Sequence, residues 1–220
     1  MTTRTEPLPF DGQPIFVAQD DGQWREAGLR GYGYNSATGY QYKVAYQDDG
    51  TIQAGILSAK IKTFAEALAE NIVENVYDLT SSAAVDQMVA AHNEWRARYG
   101  VGPVVWDGAI AEYAQAWAEH LSSQNLRGHR PNCDYGENIA YASGKMLSSA
   151  AVVDLWGNEV HDYDYASNSC AAGKVCGHYT QVVWKNSTKI GCGMARTADG
   201  KEVWVCNYDP KGNFVGQKPY

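Results

Sequence analysis

The segment Cys176-Gly177-His178-Tyr179-Thr180-Gln181-Val182-Val183-Trp184 constrains this chain more than any other. It sets a histidine between a glycine and an aromatic, then an apolar Val-Val-Trp run, then a polar turn at Asn186-Ser187. Tyr179–Trp184 reads as a short helix and Lys189–Arg196 as a strand. A second β-like run, Glu202–Asp209, follows Ala198-Asp199-Gly200, where an acidic residue precedes a glycine that tolerates positive φ. The two runs predict an antiparallel hairpin.

Helical periodicity dominates upstream. Val85, Met88, Val89, His92, Trp95 and Tyr99 form one stripe, ended by Gly100-Val101-Gly102-Pro103. Ile110, Tyr113, Ala114, Trp117, Ala118 and Leu121 recur at helical spacing in the next helix. A third helix is predicted from about Lys145 to Val160, with Ala150, Val153, Trp156 and Val160 facing inward. Helices alternating with a small antiparallel sheet predict an α+β domain, a three-layer α-β-α sandwich over residues 83–220.

The N-terminal third differs. After a tail at residues 1–11, short strands are predicted over 12–62: Ile15–Ala18, Trp24–Leu29, Tyr40–Tyr46, Ile52–Leu57 and Lys60–Lys62. Asp20-Asp21-Gly22 and Asp48-Asp49-Gly50 supply turns. Five short strands fit a small open barrel, and the pattern resembles SH3-like barrels of the Tudor or agenet kind. Trp24, Tyr40, Tyr42 and Tyr46 are candidates for an aromatic surface that recognises a cationic partner. The reading favoured over it is that they are core and rim. Thr63-Phe64-Ala65-Glu66 is a capping box opening a helical connector over 63–82.

Apolar residues make up 45%, enough for a sizeable core, and the formal net charge is -7. Such a chain is not built to coat nucleic acid or an anionic membrane by charge alone. No apolar run is long enough to span a bilayer. Met1–Glu6 lacks the apolar region of a secretion signal, yet five cysteines, four of them after position 169, suggest an oxidising compartment. The reading favoured is a secreted, extracellular protein whose signal peptide is not present in this chain. A cytosolic protein with reduced thiols is the other.

Cys176–Trp184 resembles the signature of the CAP superfamily, the cysteine-rich secretory, antigen 5 and pathogenesis-related 1 proteins. A second signature matches at Val203-Trp204-Val205-Cys206-Asn207-Tyr208-Asp209-Pro210. The ending, through Gly212-Asn213-Phe214 to Pro219-Tyr220, is similar to the plant-type pathogenesis-related 1 branch. The resemblance implies the sandwich fold over residues 83–220. It also matches the pairings expected here. Cys192 and Cys206 lie symmetrically about Asp199, opposite one another in the predicted hairpin, and Cys170–Cys176 closes a tight loop. Plant-type relatives have a further cysteine where this chain has Thr197, so Cys133 is left as a free thiol or an intermolecular link. Cys133–Cys192, with Cys206 free, is the alternative.

The family places two histidines and two glutamates around one cavity. Carried over by motif they are His129 in Gly-His-Arg-Pro, Glu137 in Tyr-Gly-Glu-Asn, Glu159 in Trp-Gly-Asn-Glu and His178 in Gly-His-Tyr-Thr. Neutral imidazoles suit Zn²⁺ or another divalent cation, and paired carboxylates repel unless a cation or imidazolium separates them. The group is therefore a metal site or a hydrogen-bonded His–Glu network. The resemblance implies a non-enzymatic defence or effector protein binding small apolar ligands: sterols, fatty acids or lipids. In some relatives a C-terminal peptide is released, and the matching segment is Pro210 to Tyr220. The alternative is a metal-dependent hydrolase or protease with Glu137 or Glu159 as general base. No nucleophile elbow, zincin or phosphate-loop motif is present. His92 reads as a core histidine, and His120 and His161 as solvated.

Overall fold

Alternation along one strand sends side chains to both faces of a central sheet, and helices cover both. A computed structural model describes residues 15–19, 24–35, 39–46, 52–57, 61–63, 79–144, 146–197 and 199–220. The chain divides into two units, Met1–Glu74 with Gly144–Met146, and Asn75–Ser143 with Leu147–Tyr220.

In the first unit β1 (Ile15–Ala18), β2 (Trp24–Asn35), β3 (Gly39–Tyr46), β4 (Ile52–Leu57) and β5 (Ile61–Thr63) form an antiparallel sheet in the order β4-β3-β2-β1-β5. Ile15, Val17, Ala27, Val44 and Ile56 are buried. Thr63, predicted to cap a helix, ends β5 paired with Ile15. The connector over 64–78, the tail at 1–11 and the side chains of Trp24, Tyr40, Tyr42 and Tyr46 lie outside the described residues.

The second unit runs α1 (Ser82–Arg98), β6 (Val105–Trp106), α2 (Gly108–Ser123), β7 (Gly136–Ala142), α3 (Ser149–Gly157) and a 3-10 turn (Asn158–Asp162). It continues with β8 (Tyr163–Asp164), β9 (Ser169–Cys170), α4 (Gly177–Val182), β10 (Lys189–Arg196) and β11 (Glu202–Asp209). The main sheet has the order β6-β10-β11-β7. Val203 and Val205 pack with Ala114, Ala118 and Leu121 of α2. Trp204, Cys206 and Tyr208, from the same strand, pack with Met88, Trp95, Val153, Trp156 and Val182 of α1, α3 and α4. The predicted α-β-α layering is therefore observed. Gly191 and Gly193 let α2 lie directly on β10, since a Cβ there would stand 2.1 Å from Ala111 N and 2.2 Å from Gln115 Cα.

The hairpin has the predicted register, with Cys192 opposite Cys206. Both expected disulfides form, Cys170–Cys176 and Cys192–Cys206, with Cα separations of 5.8 and 4.1 Å, and Cys133 is free. Three helix readings change. The short helix starts earlier, at Gly177, and ends at Val182. The third helix begins at Ser149, where Ser148 Oγ accepts the Ala151 N–H at 3.3 Å. It ends at Gly157, whose missing Cβ makes room for the Trp95 indole, and tightens into the 3-10 turn. Ala150 and Val160 are consequently only half-buried. On α1, Val85 and Val89 are half-buried, while Ala84, Ala91 and Arg96 take core positions.

Arg96 is 1% exposed. Its Nε donates to Gly102 O at 2.7 Å, and Nη1 to Val182 O and Trp184 O, each at 3.0 Å. Nη2 donates to Ser187 O at 2.7 Å. These carbonyls belong to the loop after α1, the end of α4 and the following turn; of them Trp184 O also accepts the Ser187 N–H, at 3.1 Å. Burial pulls the guanidinium down to about 10, so it stays charged at neutral pH. An ammonium has three donors and no planar fork. Arg96→Lys is expected to lower unfolding stability by about 3 kcal/mol in urea denaturation; a loss within about 0.5 kcal/mol, the range of ordinary surface changes, would contradict this role.

Candidate functional site

Glu137 is the second residue of β7, and its side chain is only 4% exposed. Its Oε1 accepts from His129 Nδ1 at 2.8 Å and from the Arg130 backbone N–H at 3.0 Å; its Oε2 accepts from Asn207 Nδ2 at 3.4 Å. The carboxylate thus folds the loop before β7 back over the strand. Arg130 holds the same loop to α2, donating to Tyr113 O at 2.8 Å with its guanidinium 3.6 Å above the Tyr113 ring. His129 itself is 66% exposed. Burial first, then the neighbouring Cys133 side chain, push the Tyr113 phenol up. Asn207 Nδ2 also reaches Cys133 Sγ at 3.6 Å.

Glu159 lies in the 3-10 turn and closes the start of α4. Its Oε2 accepts from the backbone N–H of His178 at 3.0 Å and of Tyr179 at 3.2 Å. Those groups have no partner inside the helix, and a carboxylate is favoured at that end. Its Oε1 accepts from His178 Nδ1 at 2.6 Å. The His178 ring stacks on Trp156 at 6.4 Å between centroids.

The four motif residues are therefore two His–carboxylate pairs. In each, the carboxylate holds the proton on Nδ1, leaving Nε2 with a lone pair in the neutral ring. Among the described residues no group of three or more His, Cys, Asp and Glu is gathered to hold a metal ion.

Sequence reasoning missed the frame behind these pairs. Asn138 Nδ2 donates to His178 O at 3.0 Å and to Tyr208 Oη at 3.1 Å. Tyr208 Oη donates to His92 Nε2 at 2.9 Å, and His92 Nδ1 donates to Met88 O at 2.8 Å. One chain of hydrogen bonds thus joins α1, β11, β7 and α4. Neighbouring motif positions such as Asn138 and Tyr208 were the available signal. His92 is the predicted core histidine. His120 stacks on Trp117 at 4.7 Å, so it is not simply solvated, whereas His161 is exposed.

The C-terminal segment lies over α4 as a strap. Ser187 Oγ donates to Pro210 O at 2.7 Å, and the Gly212 N–H to Gln181 Oε1 at 3.0 Å. Asn213 Nδ2 donates to Gly177 O at 2.8 Å, and the Lys185 N–H to Pro219 O at 2.8 Å. Tyr220 stacks between Tyr99 and Tyr165, with its hydroxyl 2.9 Å from that of Tyr179. A groove of about 280 Å³ lies beside the strap, lined by residues that include Tyr163, Cys176, Thr180, Trp184, Phe214 and Pro219.

An α-β-α sandwich with paired His and Glu beside its central sheet defines the class. The chain belongs to the CAP, or cysteine-rich secretory protein, family, whose model matches residues 89–208. It is 47% identical over 130 residues to pathogenesis-related protein 1B of Nicotiana tabacum, covering 59% of this chain and 77% of that protein. It is 48% identical over 132 residues to pathogenesis-related leaf protein 4 of Solanum lycopersicum, covering 60% and 80%. In fold it is similar to the crystal structure of NaASP2 with Zn²⁺, with TM-score 0.53 and 22% identity over 64% of this chain and 86% of that one. Among the described residues no helix is long and apolar enough to cross a membrane.

His92 yields a pH prediction. Burial, reinforced by the Arg96 charge, lowers its pKa from 6.5 to about 4. The unfolded chain takes up that proton first, so stability is full above pH 6.5 and falls as the pH drops towards 4. The loss is about 3 kcal/mol. Urea denaturation at pH 7.5 and 4.5 should show His92→Gln losing less stability than the parent over that interval. Equal losses would remove His92 as a source of the acid sensitivity.

Proposed function

We propose that this is an extracellular CAP-domain protein that binds a small apolar ligand, and that its His–Glu pairs are structural. The observation that carries this is the occupancy of the carboxylates. Glu159 accepts three N–H bonds and Glu137 three, so each fastens a loop or helix end. A general base needs a lone pair free to take a proton from water or substrate. Each carboxylate keeps at least one lone pair, but its bonds to a loop or helix end lower its basicity, which disfavours the hydrolase reading.

The donor set also fits a resident metal poorly. Each imidazole offers one Nε2 and each carboxylate already accepts three N–H bonds, so His129 and His178 are the readiest ligands, against the three or four protein ligands of ordinary zinc sites. Zn²⁺ or a similar cation would be a weak, two-imidazole visitor, with Glu137 and Glu159 orienting the rings from behind.

Two disulfides and membership of a secretory family support an extracellular location. The names of the plant relatives support a defence or effector role. Apolar ligands, whether sterol, fatty acid or other lipid, suit a domain with aromatic side chains along its groove. The strand order β4-β3-β2-β1-β5, with β1 between β2 and β5, supports an SH3-like barrel, to which we assign the selection of a separate protein or cell-surface partner. The strap contacts bear on the reading of Pro210–Tyr220 as a released peptide: a cut after Asp209 leaves every one of them in place.

Titration with cis-parinaric acid and with a fluorescent sterol tests the proposal. Saturable binding of one of them, unchanged in a folded His178→Ala variant, is expected. A panel of peptide and ester substrates should stay silent with Zn²⁺ added. Absence of saturable binding, or hydrolysis lost both with chelator and in His178→Ala, would overturn it.

A further inference from the structure

Asn186-Ser187-Thr188 is the one Asn-x-Ser/Thr triplet in the 220 residues. It stands between α4 and β10, where Lys185 and Asn186 are the central pair of a turn closed by the Ser187 N–H on Trp184 O at 3.1 Å. The backbone around it is fixed on both sides. Arg96 donates to the carbonyls of Trp184 and Ser187, at 3.0 and 2.7 Å. The Thr188 N–H bonds Asp209 O at 2.9 Å, and Thr188 O accepts the Val105 N–H at 3.0 Å. Within this frame the three side chains alternate. Ser187 is buried, its Oγ accepting from Gln181 Nε2 at 3.1 Å and donating to Pro210 O at 2.7 Å. Asn186 and Thr188, on either side of it, are exposed.

Asparagine is common in turns because its side chain bonds the backbone two residues on. Asn186 makes no such bond. Neither its amide nor the Thr188 hydroxyl has a hydrogen-bond partner among the described residues. The other asparagine followed by a serine in this unit behaves differently. In Asn168-Ser169-Cys170, Asn168 Oδ1 accepts from Tyr163 Oη at 2.6 Å and Nδ2 donates to Gln217 O at 3.1 Å, while Cys170 is held in a disulfide. Asn93, Asn138, Asn207 and Asn213 also spend their amides on the fold. An amide left to water at the tip of a fixed turn, two residues before an exposed threonine, is the acceptor pattern for an N-linked glycan, a bulky group that needs a surface position.

We infer that Asn186 carries an N-linked oligosaccharide. The inference rests on the extracellular reading, since the modification belongs to the secretory route that also forms disulfides. In the transfer, Asn186 Nδ2 forms a C–N bond to the anomeric carbon of the first sugar of a polyprenyl pyrophosphate-linked oligosaccharide. The bond from that carbon to the pyrophosphate oxygen breaks, the pyrophosphate leaves with the electron pair, and Nδ2 gives up one proton. The attached glycan costs the described fold no hydrogen bond. The Lys185 N–H reaches Pro219 O at 2.8 Å, so the glycan stands beside the C-terminal strap. Asn186 does not line the groove, whose own contacts are kept.

Mass spectrometry of the full chain, directed into the secretory pathway of insect cells by a cleavable signal sequence, tests it. A mass above that of the polypeptide is expected, removed by PNGase F with Asn186 converted to Asp. Asn186→Gln and Thr188→Ala should each abolish the added mass, and Thr188→Ser should keep it. Both side chains are exposed and bond nothing among the described residues, so these variants keep the fold. Thr188→Ala leaves Asn186 and its turn in place, which separates a glycan acceptor from a turn former. Secreted protein with Asn186 unmodified, or added mass on Asn186 that survives Thr188→Ala, would overturn the proposal. Mapping the disulfides in the same sample separates the two readings. If Cys170–Cys176 and Cys192–Cys206 are formed while Asn186 is bare, the glycan alone fails; if the disulfides are absent too, the extracellular reading fails with it.

Discussion

The buried guanidinium of Arg96 holds the second unit's functional face in place. Four backbone carbonyls, from the loop after α1, the end of α4 and the turn after it, converge on one side chain. Left unpaired in the core, the carbonyls of Gly102, Val182 and Ser187 would each cost about 1–3 kcal/mol, while Trp184 O keeps the Ser187 N–H. Arg96 therefore fixes the C-terminal end of α4, while Glu159 fixes its N-terminal end through the His178 and Tyr179 N–H groups. A helix of one and a half turns has little stability of its own. It stands here because both ends are held by charged side chains from other elements.

The four polar residues each have an anchoring contact in this arrangement. Glu159 closes a helix, Glu137 closes a loop, and each orients the imidazole beside it. The histidines are left with one free nitrogen apiece, and behind them Asn138, Tyr208 and His92 bond to each other. Buried polar networks of this kind specify one arrangement when every member is partnered. The strap rests on the same framework, since Gln181, Ser187 and Tyr179 each bond both to their own surroundings and to the C-terminal segment.

Much of the fold is legible in the sequence because its signals are local. Asp199 with Gly200 marks the turn, and Cys192 and Cys206 fall opposite each other as a consequence. The α2 stripe follows from periodicity alone, since Ile110, Ala114, Ala118 and Leu121 all reach the core. Other features depend on partners far along the chain. Arg96 looks like a solvated charge on a helix, and only carbonyls some ninety residues away give it reason to be buried. Glu159 matches a family motif, but its work as a helix cap depends on where the 3-10 turn sits. That turn depends on Gly157 meeting Trp95, which no window of sequence contains. The family resemblance located the His and Glu positions; their geometry then distinguished two separate pairs from one gathered set of ligands.

The central claim is that the His–Glu pairs are structural anchors and not a resident metal centre. Isothermal titration of chelator-treated protein with Zn²⁺ at neutral pH, beside the double variant His129→Ala/His178→Ala, tests it most directly. The account predicts no micromolar or tighter binding to the parent, and a double variant that is less stable to denaturation. Micromolar or tighter binding that the equally folded double variant loses would contradict it.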